Sequence, residues 1–488
     1  MPPFASLVRP RSSASVVGTP ALLVGLALLV LVGGTGPAAR AQSAAPGDTT
    51  QVTFQEAVRI ALDQNTDLKR AQAGARQSQA QVQSEWMDFG PDLNVTTDVS
   101  RRFGRNFSQV TGDFTTQSTD FFNLTGRSSI TLFNGFENVA SLRRAGDQAR
   151  ADELDLRRTR REVVFTVMEQ YIALIESRET VRVRREALEA RRQQLRQIEE
   201  FVDAGSRPVS DLYQQQADVA DAEQQVLQAE REREVNQTRL IQTLQLNPRR
   251  AYDFQVPDLS DDSLGTATFE LPALIDEAFR ERLDLEVAKT ERRAAAHNVQ
   301  AAKSSYYPTL SLGGSYGTDW TSRARLPDPN NPDQFIEPDF SDQLENNRGG
   351  GLSLSLTIPI FDRLQRNTQV ERAQVDAQNA EYALQDQRQQ VALEVRQAYL
   401  DYRNAIQQLE AANKRLRAAE QARAAAQERY NLGAASIVEL RNANSDYVDA
   451  ASQQVRARYS LLFFKKQIDY RVGRLEPAAS LFRAPAGR

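Results

Sequence analysis

Cysteine is absent from the chain, and histidine occurs once, at His297. Without cysteine there can be no disulfide, no thiolate nucleophile and no cysteine-based zinc or iron–sulfur site. One histidine cannot build a His-rich metal centre, and His297 sits in the helix-like run AAAHNVQAA, where a solvated helical side chain is the simpler reading. Long hydrophobic runs are also missing. The one candidate, Ala21 to Val32, has twelve residues, short of the about 20 that a spanning helix needs. Basic blocks are missing too: the formal net charge is −4, which gives no support to nucleic-acid binding. No nucleotide-binding GxxxxGKS/T and no metalloprotease HExxH occurs. The chain is therefore expected to need no cofactor and no metal, and to be no enzyme.

The N-terminus does carry an address. Arg9 and Arg11 precede the short apolar run, and Ala39-Arg40-Ala41 follows it. This is the n-region, h-region and small-x-small site of a secretory leader, so residues 1–41 are expected to be removed. No cysteine follows the cleavage site, which excludes a lipidated mature N-terminus. Cleavage removes Arg9, Arg11 and Arg40 and no acid, so the mature formal charge falls from −4 to −7.

The strongest pattern is a duplication. Residues from Phe54 align with residues from Leu271 at an offset of 217, and ALDQNTDLKRAQ parallels AFRERLDLEVAK. Pro91 matches Pro308. Further on the offset is 228, with Phe133 on Phe361, Tyr171 on Tyr399, Gly205 on Gly433 and Asp211-Leu212 on Glu439-Leu440. The extra 11 residues of the second copy fall near 319–348, a stretch rich in Pro, Asp and Asn that reads as a long loop. Each copy reads as a helix (roughly 52–88 and 271–305), two strands, a very long helix (roughly 136–202 and 363–430), a turn and a helix. The resulting division is 42–246, an inter-repeat segment 247–270, 271–472, and a tail 473–488.

The long helices contain no proline. Val167, Leu174, Val181, Leu188, Leu195 and Val202 recur every seven positions. Val391, Val395, Ala398, Tyr402, Ala405, Leu409, Ala412, Leu416 and Ala419 alternate steps of four and three. A 3.5-residue period is a coiled-coil seam. At about 1.5 Å per residue such a helix is roughly 100 Å long.

The four strands near 91–132 and 308–360 alternate with period two. Leu93, Val95 and Val99 oppose Asn94, Thr96 and Asp98; Leu352, Leu354, Leu356 and Ile358 oppose Ser353, Ser355 and Thr357. A half-buried soluble sheet has this pattern, and so does a membrane barrel with a wet interior, whose strands need about ten residues. Four strands cannot close. Open edges in lipid would leave backbone groups unpaired, so several chains must contribute. Two chains give eight strands, whose interior is filled by side chains; three give twelve and leave a passage.

These features together resemble the TolC family of outer-membrane efflux proteins. The resemblance is carried by the duplicated element order, by ITLFNGFENV and LTIPIFDRLQ after the second strand of each copy, and by the turns VDAGSRPVSDL and YNLGAASIVEL. It covers about residues 52–472. It implies a mixed α and β membrane protein: a trimeric 12-stranded β-barrel, four strands per chain, continuous with a long α-helical coiled-coil barrel built from two internal repeats. It implies location in the cell outer membrane with extension into the periplasm, and an equatorial girdle assigned partly to 247–270 and partly to the tail. The implied function is passive export, with a periplasmic adaptor and an inner-membrane pump as partners. A periplasmic structural coiled coil without a pore is the alternative.

The resemblance also implies site residues. Asp211 matches an acid that bonds across to the neighbouring hairpin, and Tyr430 its hydroxyl partner. Glu439 matches the first of two acids that ring the constriction; Asn442 stands where the second is expected, and Ala435 where an arginine is often found. On physical grounds alone, Asp211 and Glu439 equally suit charge stabilisation at helix N-termini. The adaptor is implied to dock at the tips, around Gly205, Ser206, Leu432, Gly433 and Ala434. Gly205 and Gly433 supply the left-handed turn that ends a helix.

Overall fold

The computed structural model describes residues 50–107, 112, 114–255, 267–328 and 331–475. The expected leader, most of the inter-repeat segment and most of the tail lie outside the described residues.

The first half opens with β1 (Thr50–Val52), α1 (Phe54–Gln64) and α2 (Thr66–Met87). The single helix expected over 52–88 is thus two. Asn65 makes the break: its backbone is non-helical, and its side chain accepts from the Asp67 and Leu68 amides at 2.9 and 3.1 Å. An Asn cap satisfies amides that a helix start leaves orphaned. Next come β2 (Asn94–Phe107), β3 (Phe114–Phe133), α3 (Glu137–Asp203), α4 (Val209–Thr243) and β4 (Tyr252–Phe254).

The second half follows the same order. α5 (Leu271–Glu281) and α6 (Leu283–Ser304) break at Arg282, and β5 (Thr309–Thr321) follows. The segment expected as a long loop contains β6 (Leu326–Asp328), β7 (Asn331–Ile336) and α7 (Phe340–Asn346). It is folded because Phe340 of α7 packs edge-on against both Phe122 and Trp320, each 5.5 Å away, and Gln343 accepts from the Thr321 amide at 3.1 Å. β8 (Gly349–Thr357), α8 (Gln365–Asn431) and α9 (Ile437–Val472) complete the chain. Equivalent helices match in length: α1 and α5 have 11 residues, α2 and α6 have 22, and α3 and α8 have 67.

The returning helices meet the short ones end to end. The Asn65 amide donates to the Thr243 carbonyl at 3.5 Å, joining α4 to α2. At the equivalent place the Arg282 guanidinium donates to the Arg471 carbonyl at 3.3 Å, joining α9 to α6. α3 packs against α2 and α4 on one side and α6 and α9 on the other, and α8 packs against α6 and α9. The coiled-coil seam is buried at Val167, Leu174, Val181 and Leu188 on α3 and at Val391, Val395, Ala398, Tyr402 and Ala405 on α8. α1 adds Phe54, Ala57, Val58 and Ala61, all on one helical face, to the core that α3 and β4 build. The short parallel pair β1–β4 is pinned there by Tyr171, whose hydroxyl donates to the Gln255 carbonyl at 2.6 Å. Burial pushes the pKa of that hydroxyl up to about 12.

The sheet runs β2-β3-β5-β8, with every pair antiparallel. Its register aligns the apolar faces, because residues directly opposite share a face. Val99, Phe122 and Trp320 are cross-strand neighbours, as are Ile130, Leu312 and Leu354, and Leu310 and Leu356. The other face carries Asp98, Asn123 and Asp319, and Thr131, Ser311 and Ser355. Most of the apolar face is open, with Val99 79% exposed and Leu352 87%, while Phe340 covers Phe122 and Trp320. With 20 residues, β3 is twice the expected length and carries the β2–β3 hairpin past the other two strands. Among the described residues no helix is long and apolar enough to cross a membrane.

Candidate functional site at the hairpin tips

Both long helices end in the same way. The Gly205 amide donates to the Val202 carbonyl and the Ser206 amide to Phe201; one hairpin over, Gly433 donates to Tyr430 and Ala434 to Arg429. The glycines adopt φ of 69° and 72°, which L side chains rarely take, and no other atom lies within 4 Å of where a Cβ would stand. The expected turn residues therefore sit at exposed tips, with Leu432 74% exposed beside Gly433. The Ser206 hydroxyl is turned inward, donating to the Phe201 carbonyl at 2.8 Å. Each return helix starts differently. α4 follows Pro208 in extended conformation, whereas Ser436 caps α9 by accepting from the Glu439 amide at 3.2 Å.

A small apolar core lies between the tips. Ile198, Ala426, Tyr430, Ile437 and Leu440 are buried there, with Leu212, Ala435 and Ala443 against them. Ala435, where the resemblance expects an arginine, is thus a packing residue. The guanidinium arrives from the other tip: Arg207 lies over the Tyr430 ring, 4.4 Å from its centroid, and donates to the Tyr430 carbonyl at 2.7 Å. A cation over an aromatic face is attracted by the ring quadrupole.

Tyr430 is only 2% exposed, and its hydroxyl has no hydrogen-bond partner among the described residues. Burial raises its pKa, with the Arg207 charge opposing and the Asp211 charge adding to the shift. Asp211 is therefore near enough to act on Tyr430, yet the hydroxyl–carboxylate bond that the resemblance implies is not formed within the single chain. Glu439 is brought to Arg429, which donates to its carboxylate. It is paired and capped, as an N-terminal helix charge would be. Asn442 is not brought to Glu439's partner. It lines a separate cleft with Arg184, Arg191, Asp218 and Arg441. His297, read as solvated, has its Nε2 3.5 Å from Asp147 on α3.

Sequence reasoning missed Arg207, Arg429 and the Arg191–Asp218–Arg441 group. Arg207 stands between Gly205 and Pro208 in a turn, where an arginine ordinarily reads as solvated; no local signal announces a tyrosine more than two hundred residues away. A GxSxG spacing does occur, as Gly313-Gly314-Ser315-Tyr316-Gly317. It is a flat stretch of β5, paired with β3 on one side and β8 on the other. A nucleophile elbow needs a sharp strand-to-helix turn, which is absent there.

A sheet whose apolar residues share one mostly exposed face, with β2 and β8 as its edges, joined to long helices none of which, among the described residues, is long and apolar enough to cross a membrane, defines the class: a mixed helix-and-sheet protein with an apolar sheet face left open. The comparisons with known proteins narrow the class. The family model described as outer membrane efflux protein matches residues 57–244 and 274–467. The chain belongs to that family and is an outer-membrane protein. It is 27% identical over 203 residues to the outer membrane protein TolC of Salmonella enteritidis, covering 42% of this chain and 40% of that relative's length. It is 23% identical over 426 residues to the pyoverdine export outer membrane protein OpmQ of Pseudomonas putida, covering 84% and 83%. Its fold is similar to the outer membrane protein VceC of Vibrio cholerae, with TM-score 0.70 and 17% identity over 86% of this chain and 96% of that one.

Proposed function

We propose that three copies assemble into a passive export duct. Their twelve strands close a barrel in the outer membrane, and their helical hairpins form a tunnel through the periplasm. One observation carries this reading: the register gathers the apolar residues of four strands onto one exposed face, while β2 and β8 are left as edges. In lipid such edges must be paired, and further copies of the chain pair them. The alternative, a periplasmic rod without a pore, gives that face nothing to contact. The flanks of the helical layer support the same count. Tyr213 and Leu227 on α4 and Leu393 and Leu400 on α8 are half-exposed or more, and assembly would bury them at the seam between chains.

In this reading the chain is two repeats, 42–246 and 271–472, joined by 247–270 and followed by the tail 473–488, after loss of a leader over 1–41. It carries out no chemistry and uses no cofactor. Energy is supplied by an inner-membrane pump, and a periplasmic adaptor seats on the exposed tips at Gly205, Ser206, Leu432, Gly433 and Ala434. Asp211, Tyr430, Glu439 and Asn442 line the periplasmic entrance. The Tyr430 hydroxyl, buried within the chain, would take Asp211 as its acceptor only on a repacking of the tips. Purified protein in planar bilayers tests the duct: discrete single-channel currents from a detergent-soluble trimer are expected. A monomer that stays soluble without detergent and carries no current would reject it.

A further inference from the structure

Arg101, Arg102 and Arg105 stand within five residues of β2, in a chain of net charge −4. Successive strand residues point to opposite faces. Arg101 and Arg105 therefore share the apolar face of Val99, Phe122 and Trp320, and Arg102 points to the other. The β2–β3 register runs without a shift from Asn94 to Phe107, so that face is continuous. Below Val99, no residue of the four strands on it is charged. β5 pairs with β3 only as far as Phe121, so from Arg101 and its partner Asp120 onward the hairpin stands clear of β5.

Both outward guanidiniums are exposed and have donors to spare. Arg101 lies across to Asp120, donating from Nε and, at 2.7 Å, from Nη2, which leaves Nη1 unused. Arg105 sits over the Phe114 ring, 4.8 Å from its centroid, and among the described residues no carboxylate pairs with it. Phe103, between the two arginines on the same face, is 75% exposed.

Depth decides what this row meets. From Phe133 to Phe122 the outward residues of β3 are uncharged, a stretch about 25 Å high for strands rising about 3.3 Å per residue and tilted about 40°. A membrane barrel has an apolar band of that height, and charge on its lipid face is destabilising, so the hydrocarbon ends at Phe122. The next outward positions of β3 include Asp120 and Thr116, which face Arg101 and Arg105. By the same rise they stand about 5 Å and about 15 Å above Phe122. A phospholipid headgroup layer is only about 5–7 Å thick on each side. Arg101 is thus level with the phosphate of any lipid, whereas Phe103 and Arg105 lie where only a lipid with a large headgroup reaches. Guanidiniums take phosphates bidentately, and an exposed ring packs on the C–H face of a sugar.

We infer that the outward face of the β2–β3 hairpin is a seat for a phosphorylated glycolipid of the outer leaflet: Arg101 and Arg105 hold its phosphates, and Phe103 packs on its sugar. This rests on the duct reading above, which turns that face to lipid.

The test uses the full-length protein, purified in mild detergent, with rough-type lipopolysaccharide as the probe and phosphatidylglycerol as the comparison. Native mass spectrometry counts the lipid retained. The wild type is expected to retain lipopolysaccharide at concentrations at least tenfold below those needed for phosphatidylglycerol, and stripping the phosphates from the probe should cancel that preference. Arg105→Gln should weaken retention severalfold, and Arg101→Gln with Arg105→Gln tenfold or more. Arg102→Gln removes the same charge from the opposite face and should change nothing. If the double variant fails to assemble, judged by trimer on gels, Arg105→Gln decides alone. Unchanged retention in Arg105→Gln, an equal loss in Arg102→Gln, or no preference of the wild type between the two lipids would overturn the seat and leave the duct standing. Wild-type protein that conducts nothing in planar bilayers would instead overturn the duct.

Discussion

The two end-to-end helix junctions occupy equivalent places in the two halves and solve one problem with different chemistry. At both, a helix arriving from the tips stops, a short helix starts, and the residue at the break bonds the last carbonyls of the arriving helix. In the first half that residue is Asn65, which is neutral, reaching Thr243 at 3.5 Å. In the second it is Arg282, which also donates to Asp284 at 2.9 Å and to Glu394 at 2.7 Å. Arg471 joins it on Glu394 at 3.0 Å, and Gln387 donates to Asp284 at 2.7 Å. Burial opposes ionisation of Asp284, but the Arg282 hydrogen bond and charge more than offset it and leave its pKa lowered. The pKa of Glu394 is lowered in the same way against burial, by hydrogen bonds from Gln390 and Arg282 and by the charges of Arg282 and Arg471. Geometry is what the two halves share. The charge at the junction is free to differ, because either an amide or a guanidinium can cap the orphan carbonyls.

The comparison breaks most sharply at Arg282. Arg282→Ala leaves Asp284 without its cation and Glu394 with Arg471 alone, and is expected to cost up to about 3 kcal/mol. Hydrogen exchange in the first turn of α6, compared with that of α2, would show it, since exchange reports local opening. Equal protection in the two turns after the substitution would mean the charge network contributes nothing special.

Acid gives a smaller effect with the same logic. The lowered pKa values of Asp284 and Glu394 mean that their contribution is complete at neutral pH and is lost as the pH falls through those lowered values. Protection of the α6 turn should therefore decline below the ordinary carboxylate range. The α2 turn should not decline with it through Asn65, because an amide gains no proton there.

Asn65→Ala comes next. It removes a cap and one inter-helix bond, and about 1 kcal/mol of local stability should go with it. A loss as large as that of Arg282→Ala would erase the difference between the junctions. Smallest of all is Arg182→Gln on the solvated face of α3. Arg182 pairs with Glu179 and Glu186 and is more than half exposed, so at most about 0.5 kcal/mol is expected in thermal unfolding.

Much of this was present in the residues themselves. The seven-residue spacing of Val167, Leu174, Val181 and Leu188, and the absence of proline, determined two very long helices. Gly205 and Gly433 determined where those helices end, since few other residues accept a positive φ. Period-two alternation determined which side of each strand is apolar, and the offset between Phe54 and Leu271 exposed the duplication. Apart from the duplication, these are properties of contacts within about one turn or one strand, and a local pattern can carry them.

Only the tertiary structure decided the rest. Asn65 caps α2 locally through Asp67 and Leu68, but its bond to Thr243, like that of Arg282 to Arg471, crosses a junction that nothing near either residue in sequence reveals. The same holds for Arg207 on Tyr430 and for Asp218 between Arg191 and Arg441. Each is an ordinary solvated charge by its neighbours in sequence. Each becomes a clasp because long antiparallel hairpins bring side chains together at separations that no periodicity encodes. In the sheet, alternation named the apolar residues, but the cross-strand register decided that Val99, Phe122 and Trp320 share one face. A slip of one residue would have turned a strand over.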